Sequence, residues 1–251
     1  MTWLPAASSQ VTVRLEEHTT TIDREIAKLL WRYADPKTQA EHYNCIALQP
    51  VPPCVESYLP PEVDAVLVST DGFRLVVTPA YGVALQGDKT FSPSFLRELK
   101  AWTKRHKKEA PVEVRATASD VVFPAWANIV PGISDTIEIE IDSHAAKTLA
   151  AFRGSDKYMT KDVLDYIIFA PDGAPAFRHN GDNDFVAVDG VLMLRGTEPC
   201  RISTTFIGEI AQLWPEGFTL ESGGPLAPFI AIPSYAEAPA AFMIVMPQRA
   251  D

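Results

Sequence analysis

The sequence predicts an α+β fold of two tandem domains, each with two helices on one face of antiparallel sheets. Three observations predict it: strand-length apolar runs flanking Asp-Gly dipeptides, stretches of helical periodicity, and one helix pattern that recurs at a constant offset. Local chemistry and long-range repetition therefore point the same way.

The strand-like run VTVRL (11–15) comes first, and TTTIDREIAKLLWRY (19–33) reads as the first helix, with Ile22, Ile26, Leu29, Leu30 and Tyr33 as its apolar stripe. QPVPPCVESYLPPE (49–62) holds five prolines and reads as a loop, because the strand after it completes the first half. In VSTDGFRLVV (68–77), Asp71-Gly72 joins two apolar runs, and Gly supplies the positive φ of a tight hairpin turn. Arg74 is the odd residue there, since a strand facing a core ordinarily spends such positions on apolar side chains. SPSFLRELKAW (92–102) follows as a helix, with Ser92 as cap, Pro93 at the first position, and Phe95, Leu96, Leu99 and Trp102 at helical spacing. VEVRATASDVVF (112–123) is strand-like.

A break comes near IVPGISD (129–135), where Pro131 and Gly132 punctuate the pattern, and the order of elements then repeats. TIEIEI (136–141) precedes the helix DSHAAKTLAAFR (142–153), Asp189-Gly190 lies between apolar runs, and STTFIGEIAQLW (203–214) leads into FTLESGGPLAPFIAI (218–232). Ser92, Phe95, Leu96, Glu98 and Leu99 match Ser203, Phe206, Ile207, Glu209 and Ile210 at an offset of 111 (203 minus 92). Duplication accounts for this, with expected domains 1–132 and 133–251.

The 251 residues are 47% hydrophobic and 22% charged, which is globular material rather than disordered chain. MTWLPAASSQ has no basic stretch followed by an apolar one, and no window nears the roughly 20 apolar residues of a membrane span, so a cytoplasmic protein is expected. Cys45, Cys54 and Cys200 lack C-x-x-C spacing and a histidine at ligand distance, which favours buried free thiols over a disulfide or zinc site. Five histidines (18, 42, 106, 144, 179) form no ligand or triad motif, HNGDNDF (179–185) lacks the glycine and closing glutamate of a calcium loop, and no phosphate-binding glycine loop occurs. No catalytic residue, metal or cofactor is expected.

A net charge of −10 argues against nucleic acid until its distribution is considered. On the first helix Arg24, Lys28 and Arg32 recur at i, i+4, i+8 opposite the apolar stripe, and on the second Arg97, Lys100 and Lys104 lie opposite Phe95, Leu99 and Trp102. TKRHKK (103–108) adds charge at its end. Such faces are either solvated lysine rows or a phosphate-facing surface. The second half offers Lys147 and Arg153 on its first helix and no basic residue on 204–214.

Three motifs then converge on one family. VSTDGFRLVV resembles the A-T-D-G-[HY]-R-L-A segment of the bacterial sliding clamp, the DNA polymerase III beta subunit. FPAWANIVP (123–131) resembles the F-P-D-Y-x-x-[VL]-[IL]-P that closes its middle domain, and GPLAPFIAIP…FMIVMPQR (224–249) its G-P-L-S-P…V-M-P-[MI]-R ending. EHYNCIALQ (41–49) is similar to the strand after the middle domain's first helix. The motifs keep the family's order over nearly the whole chain, which resembles the middle and C-terminal domains with no counterpart of the first.

The resemblance implies a DNA-clamp fold and a non-enzymatic processivity factor that encircles duplex DNA. Two-domain clamps close a six-domain ring as trimers, so self-association into a homotrimer is the implied assembly. The DNA-facing residues would be Arg24, Lys28, Arg32, Arg97, Lys100, Lys104, Lys147 and Arg153. A groove for short hydrophobic peptides of a DNA polymerase and the clamp loader would be lined by Thr70, Gly72, Phe73, Arg74 and Leu75. Pro124, Asn128 and Ile129, then Leu226, Ile244, Val245, Met246 and Pro247, would complete it, with Arg74 holding a peptide carboxyl or carbonyl at the rim. Phe73 stands where His or Tyr is usual, and Asn128 where arginine is common. A clamp-fold interaction or decoy protein that does not encircle DNA is the alternative.

Overall fold

Where the chain pairs and where it coils follows from its apolar spacing, and the computed structural model resolves this for residues 10–15, 18–34, 43–85, 87–91, 97–101, 113–130, 137–152, 166–171, 176–179, 185–236, 238 and 240–247. The chain divides into two compact units, Met1–Asn128 with Pro239–Phe242, and Ile129–Ala238 with Met243–Asp251.

In the first unit β1 (Gln10–Leu15) lies between β2 (His18–Asp23) and β7 (Glu113–Ala116), antiparallel to β2 and parallel to β7. A second sheet runs in the order β5 (Arg74–Pro79), β4 (Ala65–Thr70), β3 (Ile46–Pro50), β6 (Lys89–Phe91), β8 (Ala118–Ser119). Helix α1 (Arg24–Tyr33) packs against strands of both sheets. It buries Ile26, Ala27, Leu29, Leu30 and Tyr33, each large apolar side chain contributing roughly 1.5–3 kcal/mol. Residues 97–101 form helix α2, which buries Leu99.

The expected first helix is shorter than its sequence pattern. Thr19–Ile22 is a β-branched run and stays in β2, while Asp23 caps α1 by accepting a hydrogen bond from the Glu25 N–H at 2.7 Å. Ile22 is thus a buried strand residue rather than part of the helical stripe. The proline-rich segment expected to be a loop instead begins as the end of β3 at Gln49–Pro50 and holds a 3-10 helix at Pro53–Tyr58 in its middle, and Trp126 donates its indole N–H to Gln49 Oε1 at 2.5 Å. Phe242 packs its ring on Tyr58 and Trp126, with centroids 5.7 and 6.4 Å away.

In the second unit one sheet runs β12 (Phe185–Val188), β11 (Ala176–His179), β10 (Tyr166–Phe169), β14 (Cys200–Ser203). The other runs β13 (Val191–Arg195), β9 (Ile137–Asp142), β15 (Gly217–Ser222), β16 (Phe229–Pro233), β17 (Phe242–Val245). Helices α3 (Ser143–Phe152) and α4 (Thr204–Leu213) pack on each other, α3 also on β9 and β15, and α4 on β10 and β14. Ser203 sits at the α4 N-cap without a side-chain capping bond, so the capping role that its alignment with Ser92 suggests is not filled there.

The two Asp-Gly turns are not equivalent. Asp71-Gly72 lies in the hairpin between paired strands β4 and β5, whereas Asp189-Gly190 carries the chain from β12 in one sheet to β13 in the other. The counterpart of the β4–β5 hairpin is β11–β12, as both extend an order that continues through β3 or β10 to β6 or β14. HNGDNDF joins that pair, with His179 opposite Phe185; residues 180–184 lie outside the described set.

Candidate functional site

The hairpin of the first unit explains its arginine. Thr70 pairs with Leu75, which leaves Gly72 and Phe73 as the central residues of the turn and Asp71 and Arg74 as its flanks. Gly72 has φ 91°, as a type II′ turn requires at its first central position. The turn is therefore one residue further along than an Asp-Gly central pair. Asp71 Oδ1 accepts from the N–H groups of Phe73 and Arg74, each at 3.0 Å, and Oδ2 accepts from Arg74 Nε at 2.8 Å. Thr70 Oγ1 donates to the Arg74 carbonyl at 2.9 Å and accepts from the Gly72 N–H at 3.0 Å.

Arg74 also lies over the Tyr33 ring, 4.7 Å from its centroid, and its side chain is only 15% exposed. A guanidinium placed so is held by a carboxylate and an aromatic face, which fixes the turn. What the fold gives Arg74 is this structural duty, beside the peptide-rim role that the resemblance implies. Phe73 at the tip is 65% exposed, and Leu75 behind it is buried. Sequence reasoning missed Tyr33 as the stacking partner; the Asx-turn pattern of Asp71 was the available local signal.

Pro124 is half-buried, Asn128 is exposed, and the chain from Trp126 to Ile129 forms a 3-10 turn. In the second unit Ile129 is 42% and Leu226 66% exposed. Leu226 rides a turn in which the Ala227 N–H donates to the Gly224 carbonyl at 3.1 Å and Ser222 Oγ donates to the same carbonyl at 2.8 Å. Ile244 and Val245 are buried in β17 opposite Ile230 and Phe229, and Met246 and Pro247 are half-buried beyond it. Each unit thus presents an exposed apolar side chain on a hydrogen-bonded turn, with buried aliphatic residues behind.

The expected DNA-facing residues that are described in the first unit lie on two neighbouring helices. Arg24, Lys28 and Arg32 are half-buried on the side of α1 away from its apolar stripe, Arg97 is exposed on α2, and Lys100 Nζ lies 4.6 Å from the centroid of the Trp31 ring. That contact sets α1 beside α2. Lys28 pairs with Glu25 on its own helix. In the second unit Lys147 is exposed on α3, with Glu216 Oε1 at 3.8 Å, and α4 carries no cation. Lys104 and Arg153 lie outside the described residues. Among the described residues no three His, Cys, Asp or Glu side chains converge as a metal site, and no helix is long and apolar enough to cross a membrane. Cys45 and Cys200 are buried, but Cys54, expected to be buried, is exposed with its thiol 3.8 Å from the Ala127 carbonyl.

No protein-family model matches the sequence, and no curated protein matches it. Solved structures do. The sliding clamp (DNA polymerase III subunit beta) of Bartonella birtlesii bound to griselimycin is 14% identical with a TM-score of 0.64, over 90% of this chain and 63% of that one. The Helicobacter pylori beta clamp bound to a DNA ligase peptide is 13% identical with a TM-score of 0.61, over 100% and 68%. A putative beta subunit from Eubacterium rectale is 10% identical with a TM-score of 0.66, over 98% and 76%. The chain has the sliding-clamp fold, and spans about 63% of the length of the Bartonella clamp.

Proposed function

We propose that this protein is a DNA sliding clamp, a non-enzymatic ring that tethers a DNA polymerase and other replication partners to duplex DNA. The observation that carries the reading is the joined basic face of α1 and α2 within a clamp fold, on a chain whose net charge is −10. Cations gathered on neighbouring helical faces of an acidic protein attract phosphate there while the net negative charge disfavours it elsewhere, and sequence-independent contacts suit a ring that must slide. The exposed Phe73 and Leu226 are the apolar anchors offered to partner peptides. The Helicobacter clamp, crystallised with a DNA ligase peptide, supports that class of partner.

The alternative is an interaction or decoy protein of the same fold that binds replication proteins without encircling DNA. The thin charge of α3 and α4 favours it. Solution mass by light scattering across a concentration series separates the two. A homotrimer of three 27.6 kDa chains, about 83 kDa, is the expected result for a closed ring. A monomer at every concentration would leave the interaction protein as the better reading.

A further inference from the structure

Phe73 stands on a turn that is held from beneath. Its side chain is 65% exposed, so its own packing does little to fix where the ring points, and the backbone sets its direction. That backbone is held in three links. The Phe73 N–H donates to Asp71 Oδ1 at 3.0 Å, Asp71 Oδ2 accepts from Arg74 Nε at 2.8 Å, and the Arg74 guanidinium lies 4.7 Å from the centroid of the Tyr33 ring.

The first two links run within residues 71–74 and give the turn its shape. The third ties that shape to the body of the unit, because Tyr33 is the last residue of α1, a helix packed on β4 and β5, and is fully buried. With the Arg74 side chain only 15% exposed, little water reaches the pair, and a cation over an aromatic face is attracted more strongly as it is desolvated. An aliphatic side chain in place of the ring would fill the space without offering the negative face of the π-system. The guanidinium would then gain by swinging toward water, and would draw the Asp71 carboxylate away from the Phe73 N–H.

We propose that Tyr33 is a positioning residue for partner binding. Buried beneath the hairpin, it touches no bound peptide, and it acts through Arg74 and Asp71 by holding Phe73 in the direction in which an apolar peptide side chain meets it. This role rests on the clamp reading, which makes Phe73 an anchor, and adds to it the group that keeps the anchor ordered. An anchor already ordered costs less to immobilise when a partner binds, so the gain appears mainly as slower dissociation.

The test uses the full chain, a fluorescein-labelled GGSLLF peptide followed by anisotropy and stopped flow, and backbone order parameters measured without peptide. Tyr33→Leu should bind about fivefold more weakly, through faster dissociation. In the same variant the order parameters of Phe73 and Arg74 should fall from about 0.85 toward about 0.6, while those of Val66–Val68 in β4 stay at parent values. Tyr33→Phe keeps the ring and should match the parent within about twofold in affinity, with unchanged order. Where Tyr33→Leu does not fold, Tyr33→Met, a flexible filler of the same space, takes its place. Parent-like binding and order in the aliphatic variant would make Tyr33 a core residue alone and overturn the proposal. So would equal losses in Tyr33→Phe, which would assign the hold to the hydroxyl rather than the ring face. Absence of binding by the parent, or binding that Phe73→Ser leaves unchanged, would remove the anchor itself; that is a failure of the clamp reading, and the positioning role would fall with it even where the order parameters behave as expected.

Discussion

In the first unit Asp71-Gly72 closes a hairpin of adjacent strands, and in the second Asp189-Gly190 hands the chain from one sheet to another. The helices differ in a parallel way. α1 and α2 meet through Lys100 and Trp31 under a row of cations, while α3 and α4 pack on each other with Lys147 the one Lys or Arg among their described residues. Repetition has preserved the order of elements and let their surfaces diverge. Placement in the repeat therefore predicts backbone better than it predicts chemistry.

The largest effect that separates the units should be on DNA. If the proposed helical face meets DNA, charge reversal at Arg24, Lys28 and Lys100 together would replace three attractive phosphate contacts by repulsion, and should lower duplex affinity at low salt by about a hundredfold or more. Lys147→Glu in the second unit should cost less than about threefold, because it changes a single cation where the described residues of α3 and α4 offer no second one. Anisotropy titrations at several salt concentrations measure both. Equal losses from the two units would erase the proposed asymmetry of the helical faces, whereas a shallower salt slope in the triple variant alone would sharpen it.

The turn glycines come next. A Cβ on Gly190, at φ 81°, would lie 2.6 Å from Asp142 Cγ, and that carboxylate accepts the Ala145 N–H at 2.8 Å at the start of α3. Gly190→Ala must therefore strain the turn and displace a helix cap, at a cost of about 2–3 kcal/mol. At Gly72 the new methyl would meet the Tyr43 ring at 3.1 Å, where a small tilt suffices, so about 1–2 kcal/mol is expected. Urea unfolding of the two variants gives the order. A greater loss at Gly72 would mean that the hairpin, not the sheet-to-sheet corner, is the less forgiving turn.

What the sequence made legible is what is local. Val68–Val77 announces a hairpin because the pairing partners sit on either side of the glycine, and the α1 faces follow from spacing alone. The second Asp-Gly looked identical because the difference lies in β13 pairing with β9, a partner far back in the chain. The parallel pairing of β1 with β7 was hidden for the same reason. At the candidate site, Phe73 and Leu226 were named by family likeness, and their exposure fits an anchoring role. The hold of Asp71 and Tyr33 on Arg74 needed coordinates, since a stack between a helix end and a strand end leaves no periodic trace.

The smallest expected effect concerns the thiols, and it compares the units once more. Burial pushes Cys45 of the first unit up to about 11 and Cys200 of the second up to about 12, from an ordinary 9.0. Folding thus favours the protonated thiol in both. Their contribution to stability is fully present below about pH 9 and declines as pH rises through the folded values, the first unit losing its share before the second. At pH 8, iodoacetamide should modify the exposed Cys54 alone in the native protein and all three cysteines in denaturant. On raising the pH stepwise toward 11, Cys45 should react before Cys200, which peptide mapping by mass reads directly. Reaction of Cys200 first would show that the second unit opens more readily than the first, and would reverse the order of protection that burial assigns to them.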